Sequence, residues 1–136
     1  MKDMNKNKNK LTGLNQKIRS FFQQEYFQSH IVFWLLILSL VANIIDWLIL
    51  KIWIKPVDFS IILHYNVYFG VDQIGSYRQV YLLPMIGLIL FIINLVLSMF
   101  FYGQKKHIAS YILLMATLMI QFSLIVASMS QILINY

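Results

Sequence analysis

Asp46, His64, Asp72 and Arg78 are the residues of this 136-residue chain with the most capacity for chemistry. Asp46 stands inside a long apolar run, where an aspartate costs about 2.5–3.5 kcal/mol to place at the centre of a membrane helix. A residue retained at that cost points to a proton or cation site, or to a counter-charge for a partner's basic group. The plainer alternative is a carboxyl bonded within its own bundle or to the loop outside it. Lys51, five positions on, lies about 140° around a helix and is badly placed to pair with it. Transport paths usually need several ionisable groups, and the other apolar runs hold none. Structural or partner pairing is therefore the first expectation, and proton or ion handling the second.

His64, Asp72 and Arg78 offer an acid–base group, a carboxylate and a cation within one polar stretch, with Tyr65, Asn66 and Tyr68 as further hydrogen-bonding groups. No metal-ligand spacing, no nucleophile with a base, and no glycine-rich phosphate loop accompanies them. With no cysteine in the chain, thiol, zinc-finger and iron–sulfur chemistry are excluded. The sequence therefore predicts no catalytic residue, no metal and no cofactor, and the chain does not read as an enzyme. Loop groups of this kind commonly satisfy backbone near the membrane surface.

The elements that must position these residues follow from composition. The chain is 60% hydrophobic and 12% charged, about half the charge of an average soluble domain. So much apolar surface cannot be hidden by a water-soluble fold of this length. Three runs stand out: Ile31–Leu50, Tyr81–Tyr102 and Ile108–Ile134. A bilayer core about 30 Å thick takes roughly 20 helical residues, and a helix satisfies its own backbone in lipid. The reading is an all-α integral membrane protein with three transmembrane helices over about 31–53, 81–102 and 108–134. The first run is longer than a signal-peptide core and lacks a small-residue cleavage site after it, so it reads as an anchor.

Six of the eleven Lys/Arg precede the first run, and Lys105 and Lys106 lie in the short turn between the second and third. The positive-inside tendency puts that turn and the N-terminus in the cytoplasm, with the 54–80 loop and the C-terminus outside the cell (inner) membrane. Trp34 toward one face, and Trp47, Trp53, Tyr77 and Tyr81 toward the other, fit an aromatic belt. Topology accounts for the net charge of +6, so no nucleic-acid partner is expected. Residues 1–13 read as a disordered basic tail. Over 14–29, Leu14, Ile18, Phe21, Phe22 and Tyr26 recur at helical spacing with Lys17 and Arg19 among them. That pattern predicts an amphipathic interfacial helix on anionic inner-leaflet lipid.

Within the 30–136 bundle, Asn43, Asn94 and Gln121 fall within roughly 5–6 Å of mid-span at 1.5 Å per residue. Ser39, Asn43 and Asp46 share a face of the first helix, and Gly87, Asn94 and Ser98 recur along the second. On the third, Ala109, Ala116, Ser123 and Ser130 repeat at heptad intervals with Ala127 beside them. Small residues in such registers allow close helix approach, which predicts a packing seam there. Gln121 lies off that seam, on a second face with Thr117 and Ser128. Either the third helix is sandwiched between the other two, or one face awaits an outside helix.

From Ile61 to Asp72 the outer loop alternates, with Ile61, Leu63, Tyr65, Val67, Phe69 and Val71 on one side. A period of two predicts an extended segment with one face on an apolar surface. A turn is expected at GVDQIG between Gly70 and Gly75, in an ordered cap over the bundle mouth. Tyr65, Tyr68 and Phe69 would sit at headgroup level.

The LHYNVYFGVD stretch resembles an LHYN–x–YFG–[VI]–D loop of small uncharacterised three-helix bacterial membrane proteins, notably of reduced-genome candidate-phyla lineages. The resemblance covers Leu63–Gly75 and the general layout. It implies no activity, only weight on Leu63, His64, Tyr65, Asn66, Phe69, Gly70 and Asp72. Together these features lead to the expectation of an accessory or assembly subunit that packs on other membrane proteins, or on itself, through its helix seams and outer loop. A handler of a small ligand or proton using Asp46 and the loop is the alternative.

Overall fold

A computed structural model describes residues 25–135. The basic tail and the 14–24 part of the expected interfacial helix lie outside the described residues. Helix α1 (Glu25–Gln28) leads through Ser29, which has extended backbone, into α2 (His30–Trp53). Strands β1 (Ile61–Asn66) and β2 (Gly70–Gly75) follow, then a 3-10 helix (Tyr77–Tyr81), α3 (Leu82–Gly103) and α4 (His107–Asn135). Three helices are long and apolar enough to cross a membrane: His30–Trp53, Tyr77–Gly103 with its 3-10 start, and His107–Asn135. Only 28%, 22% and 22% of their most apolar windows are buried, so the remaining Leu, Ile, Val and Phe side chains can face only lipid or another helix.

The loop is not purely irregular, so the fold is mostly helical with a small two-stranded sheet rather than strictly all-α. β1 and β2 pair antiparallel, from Ile61 opposite Gly75 to Asn66 opposite Gly70, with an irregularity around His64. The turn falls at 67–69 and not within GVDQIG: Gly70, at φ 80°, opens β2 instead of closing a turn. Glycine tolerates that left-handed conformation, and the Asn66 side chain accepts from the Tyr68 N–H at 2.9 Å to close the bend.

Helix α4 is the middle element, packing on both α2 and α3 more extensively than those two pack on each other. Its inward face is Ser110, Leu114, Thr117, Gln121, Ser128 and Ile132, at intervals that keep one face toward the neighbours. The expected Ala109–Ser130 seam is not the intramolecular one. Ala116, Ser123 and Ser130 are exposed, and Ala109 and Ala127 are only half-buried. The polar face prevails because its side chains find partners on α2 and α3, which alanines cannot supply. Two apolar clusters close the ends. Leu50, Ile54, Ile61, Val80 and Ile132 pack at the loop end, and Tyr26, Val32 and Leu114 at the other.

Candidate functional site

Of the three polar residues predicted at mid-span, Asn43 and Gln121 meet in the bundle core, and Asn94 pairs apart from them. Asn43 Nδ2 donates to Gln121 Oε1 at 3.1 Å and to the Pro84 carbonyl at 2.9 Å. Gln121 Nε2 donates to the Gly87 carbonyl at 2.8 Å. A backbone carbonyl oxygen has two lone pairs, so the Pro84 carbonyl can accept this bond beside any intrahelical one. Gly87 makes the meeting possible: a Cβ there would lie 2.7–2.9 Å from Leu124 Cδ1, Gln121 Oε1 and Asn43 Nδ2. One helical turn and more toward the α3–α4 turn, Asn94 Nδ2 donates to Thr117 Oγ1 at 2.9 Å, and Thr117 donates back to the Leu113 carbonyl at 2.8 Å.

A hydroxyl cluster lies farther along, near the α3–α4 turn. Ser98 and Ser110 share a 2.6 Å hydrogen bond, and the Tyr26 hydroxyl donates to Ser98 Oγ at 3.0 Å. Tyr26 is 3% exposed; burial pushes its phenol above the ordinary value, against the opposing Ser98 bond. It therefore stays a neutral donor near neutral pH, and α1 is tied to α3 and α4 by a side chain that the amphipathic pattern assigned to lipid.

Asp46 is the exception in this satisfied core. It is fully buried, and neither carboxyl oxygen has a hydrogen-bond partner. The Ser128 hydroxyl on α4 lies beside the carboxyl but makes no hydrogen bond of good geometry with it, and Ser39 on α2 is likewise buried and unpartnered. An orphaned buried polar group costs about 1–3 kcal/mol, so this end of the core departs from the pattern set by Asn43 and Gln121.

The outer-loop residues do not assemble into one site. His64 Nδ1 lies 2.7 Å from Asp72 Oδ1 across the hairpin, but both side chains are exposed at 61% and 43%, a setting in which ion pairs contribute little. Asn66 caps its own turn. Arg78 turns to Tyr77, with Nε 3.3 Å from the hydroxyl, and lines a separate cleft with Asp58. Tyr65 and Tyr68 are exposed, Tyr68 at 91%. Of the alternating positions, only Ile61 and Leu63 pack on the bundle, while the tip Val67–Phe69 projects free.

Gln131 and Asn135, which sequence reasoning passed over, attach the hairpin. Asn135 Oδ1 accepts from the Ile62 N–H at 2.9 Å and its Nδ2 donates to the Ile62 carbonyl at 2.7 Å. Gln131 Nε2 donates to the Leu63 carbonyl at 2.9 Å. The amide of Asn135 thus imitates a strand partner for an edge that would otherwise stay unpaired. The available signal was two amides four apart at the end of an uncharged helix, where only solvent was expected. Asn135→Leu should release the hairpin without unfolding the helices. Amide exchange at Ile62 should rise at least tenfold, while exchange in α2–α4 should stay at wild-type rates.

Among the described residues, no group of three His, Cys, Asp or Glu comes close enough to hold a metal. By length and apolarity of its helices, the fold is that of a multi-pass membrane protein. No family model matches the chain, and no curated protein or solved structure matches it either.

Proposed function

We propose that this chain is a small accessory or assembly subunit of the cell membrane, which packs against other membrane proteins, or against its own copies, through α4 and the outer hairpin. The supporting observation is the division of labour on α4. The face carrying Thr117, Gln121 and Ser128 is consumed within the bundle, yet Ala116, Ser123 and Ser130 keep heptad register on the opposite, exposed side. Such a stripe permits backbone approach that bulky lipid-facing residues prevent. The basic N-terminal segment and Lys105–Lys106 support a cytoplasmic N-terminus and an extracytoplasmic hairpin and C-terminus, with the N-terminal segment resting on anionic inner-leaflet lipid.

The absence of native cysteine makes the test direct. Ser123→Cys should form an oxidative or bifunctional crosslink in native membranes, to itself or to one defined protein. Ile93→Cys, on a bulky exposed face of α3, should not. Equal, unspecific crosslinking from both positions, or none from Ser123→Cys together with a monomer in gentle detergent, would sink the proposal.

A second reading rests on Asp46. A fully buried carboxyl on α2 facing Ser128 of α4 is the kind of group that binds a proton, a small cation or a water-borne ligand in a membrane core.

A further inference from the structure

The end of the bundle bearing the α3–α4 turn holds a cleft of about 450 Å³, lined by Glu25, Tyr26, Met99, Tyr102, Lys105 and His107. That volume is in the range of small-ligand sites, roughly 300–1,000 Å³. A turn joining two spans lies at a membrane face whichever way the chain is oriented. The cleft carries charges of both signs, and they are not spent on each other: the one ion pair among the described residues is His64–Asp72. Lys105 is held at the rim by the turn itself, through its N–H to the Tyr102 carbonyl at 2.9 Å and the Lys106 N–H to the Phe101 carbonyl at 3.0 Å. Glu25 is held on the opposite side by α1, whose Tyr26 is anchored to Ser98 and whose Glu25 carbonyl accepts from the Tyr102 hydroxyl at 3.4 Å.

We infer that this cleft seats the headgroup of one phosphatidylethanolamine molecule, its phosphate toward Lys105 and its ammonium toward Glu25. A zwitterion matches two opposite charges that do not pair with each other, whereas a purely anionic headgroup would meet the Glu25 carboxylate. A primary ammonium donates hydrogen bonds to that carboxylate, which a quaternary one cannot do. The lipid source follows from what continues below the cleft. Val96 and Ile92 stand three and seven residues before Met99 on α3, on the same face, and are 60% and 51% exposed. They offer an apolar track for acyl chains that a soluble phosphate ester would not use.

The test is native mass spectrometry of the full-length protein in mild detergent, with equimolar phosphatidylethanolamine, phosphatidylglycerol and phosphatidylcholine added. Wild type should retain one phosphatidylethanolamine in preference to the other two. Lys105→Asn removes the charge while keeping a residue suited to φ 61°. It should lower that retention about tenfold, the scale of one charge-assisted hydrogen bond. Glu25→Gln should abolish the preference over phosphatidylglycerol while leaving helix content by circular dichroism unchanged. Equal retention of all three lipids overturns the inference, as does retention of none. A preference surviving both substitutions, or a wild-type preference for phosphatidylglycerol, overturns it as well.

Discussion

Gly87→Leu should prevent the three helices from forming a stable bundle, and Gly87→Ala should destabilise it by about 1–3 kcal/mol, the usual scale of overpacking in a tight core. The surroundings of the added atom decide the effect. A Cβ at position 87 would meet Leu124 Cδ1 at 2.7 Å, Gln121 Oε1 at 2.8 Å and Asn43 Nδ2 at 2.9 Å. Ends of flexible side chains usually give way cheaply, but these two amides are fixed by hydrogen bonds to each other and to the Pro84 and Gly87 carbonyls. Moving either strands a polar atom in the core, so the clash and the lost bonds act together. Individual hydrogen bonds between membrane helices average only about 0.6 kcal/mol. Asn43→Leu alone should therefore cost less than Gly87→Ala. Gly103→Ala supplies the control: nothing lies within 4 Å of a Cβ there, and alanine favours helix. Thermal melts followed by circular dichroism in detergent should rank wild type and Gly103→Ala together, Asn43→Leu below them, Gly87→Ala lower still, and Gly87→Leu without a transition. A Gly87→Ala melt matching wild type would show that α3 and α4 do not approach as described.

The second large effect has the opposite sign. Asp46→Leu should raise the melting temperature of the isolated protein. The carboxyl has Ser128 beside it but no hydrogen bond of good geometry to it, and both groups are buried. Replacing such a group with an apolar side chain of similar size recovers a desolvation cost of about 1–3 kcal/mol. For a domain of this size, each 1 kcal/mol corresponds to a shift of several degrees, on the order of 4 °C. Growth or complex recovery measured beside the melt gives the functional half of the experiment. A more stable protein that no longer supports assembly or growth would mark Asp46 as kept for use, the situation expected where stability and activity conflict. A less stable Asp46→Leu protein would mean the carboxyl is bonded in the membrane, and would remove the second reading.

Much of the fold was legible because lipid imposes simple constraints. Apolar runs of sufficient length gave the three spans within a few residues, and the Asn43 and Gln121 depths gave a shared polar layer, from which Asn94 stands apart. Which faces met was harder. On α4, small residues at heptad spacing and polar residues at interleaved spacing make equally regular stripes. Sequence period does not say which stripe the other helices complement. The answer lay in Gly87, Pro84 and Thr117, whose role depends on backbone carbonyls that no residue type advertises. The alternation of 61–71 correctly indicated extended chain, yet the apolar side of β1 meets the bundle only at Ile61 and Leu63. Periodicity reports which residues share a side, not how far the supporting surface extends. The loop constellation of His64, Asp72 and Arg78 failed for a related reason: proximity in sequence placed Arg78 near the hairpin, while the 3-10 helix aimed it at Tyr77.

The fastening of the hairpin by Asn135 and Gln131 has a consequence for biosynthesis. The hairpin is translated between the first and second spans, but the groups that hold it lie on α4, after the second span. The same delay applies to Asn43, whose Gln121 partner lies 78 residues downstream. While the ribosome is still making α4, the first two spans have the Asn43–Pro84 hydrogen bond and the Trp47–Tyr81 stack between them, but Asn94 still lacks Thr117. The nascent protein therefore passes through an interval in which part of the polar core is unsatisfied. Insertion of α4 ends that interval by closing the core and the outer clasp in a single step.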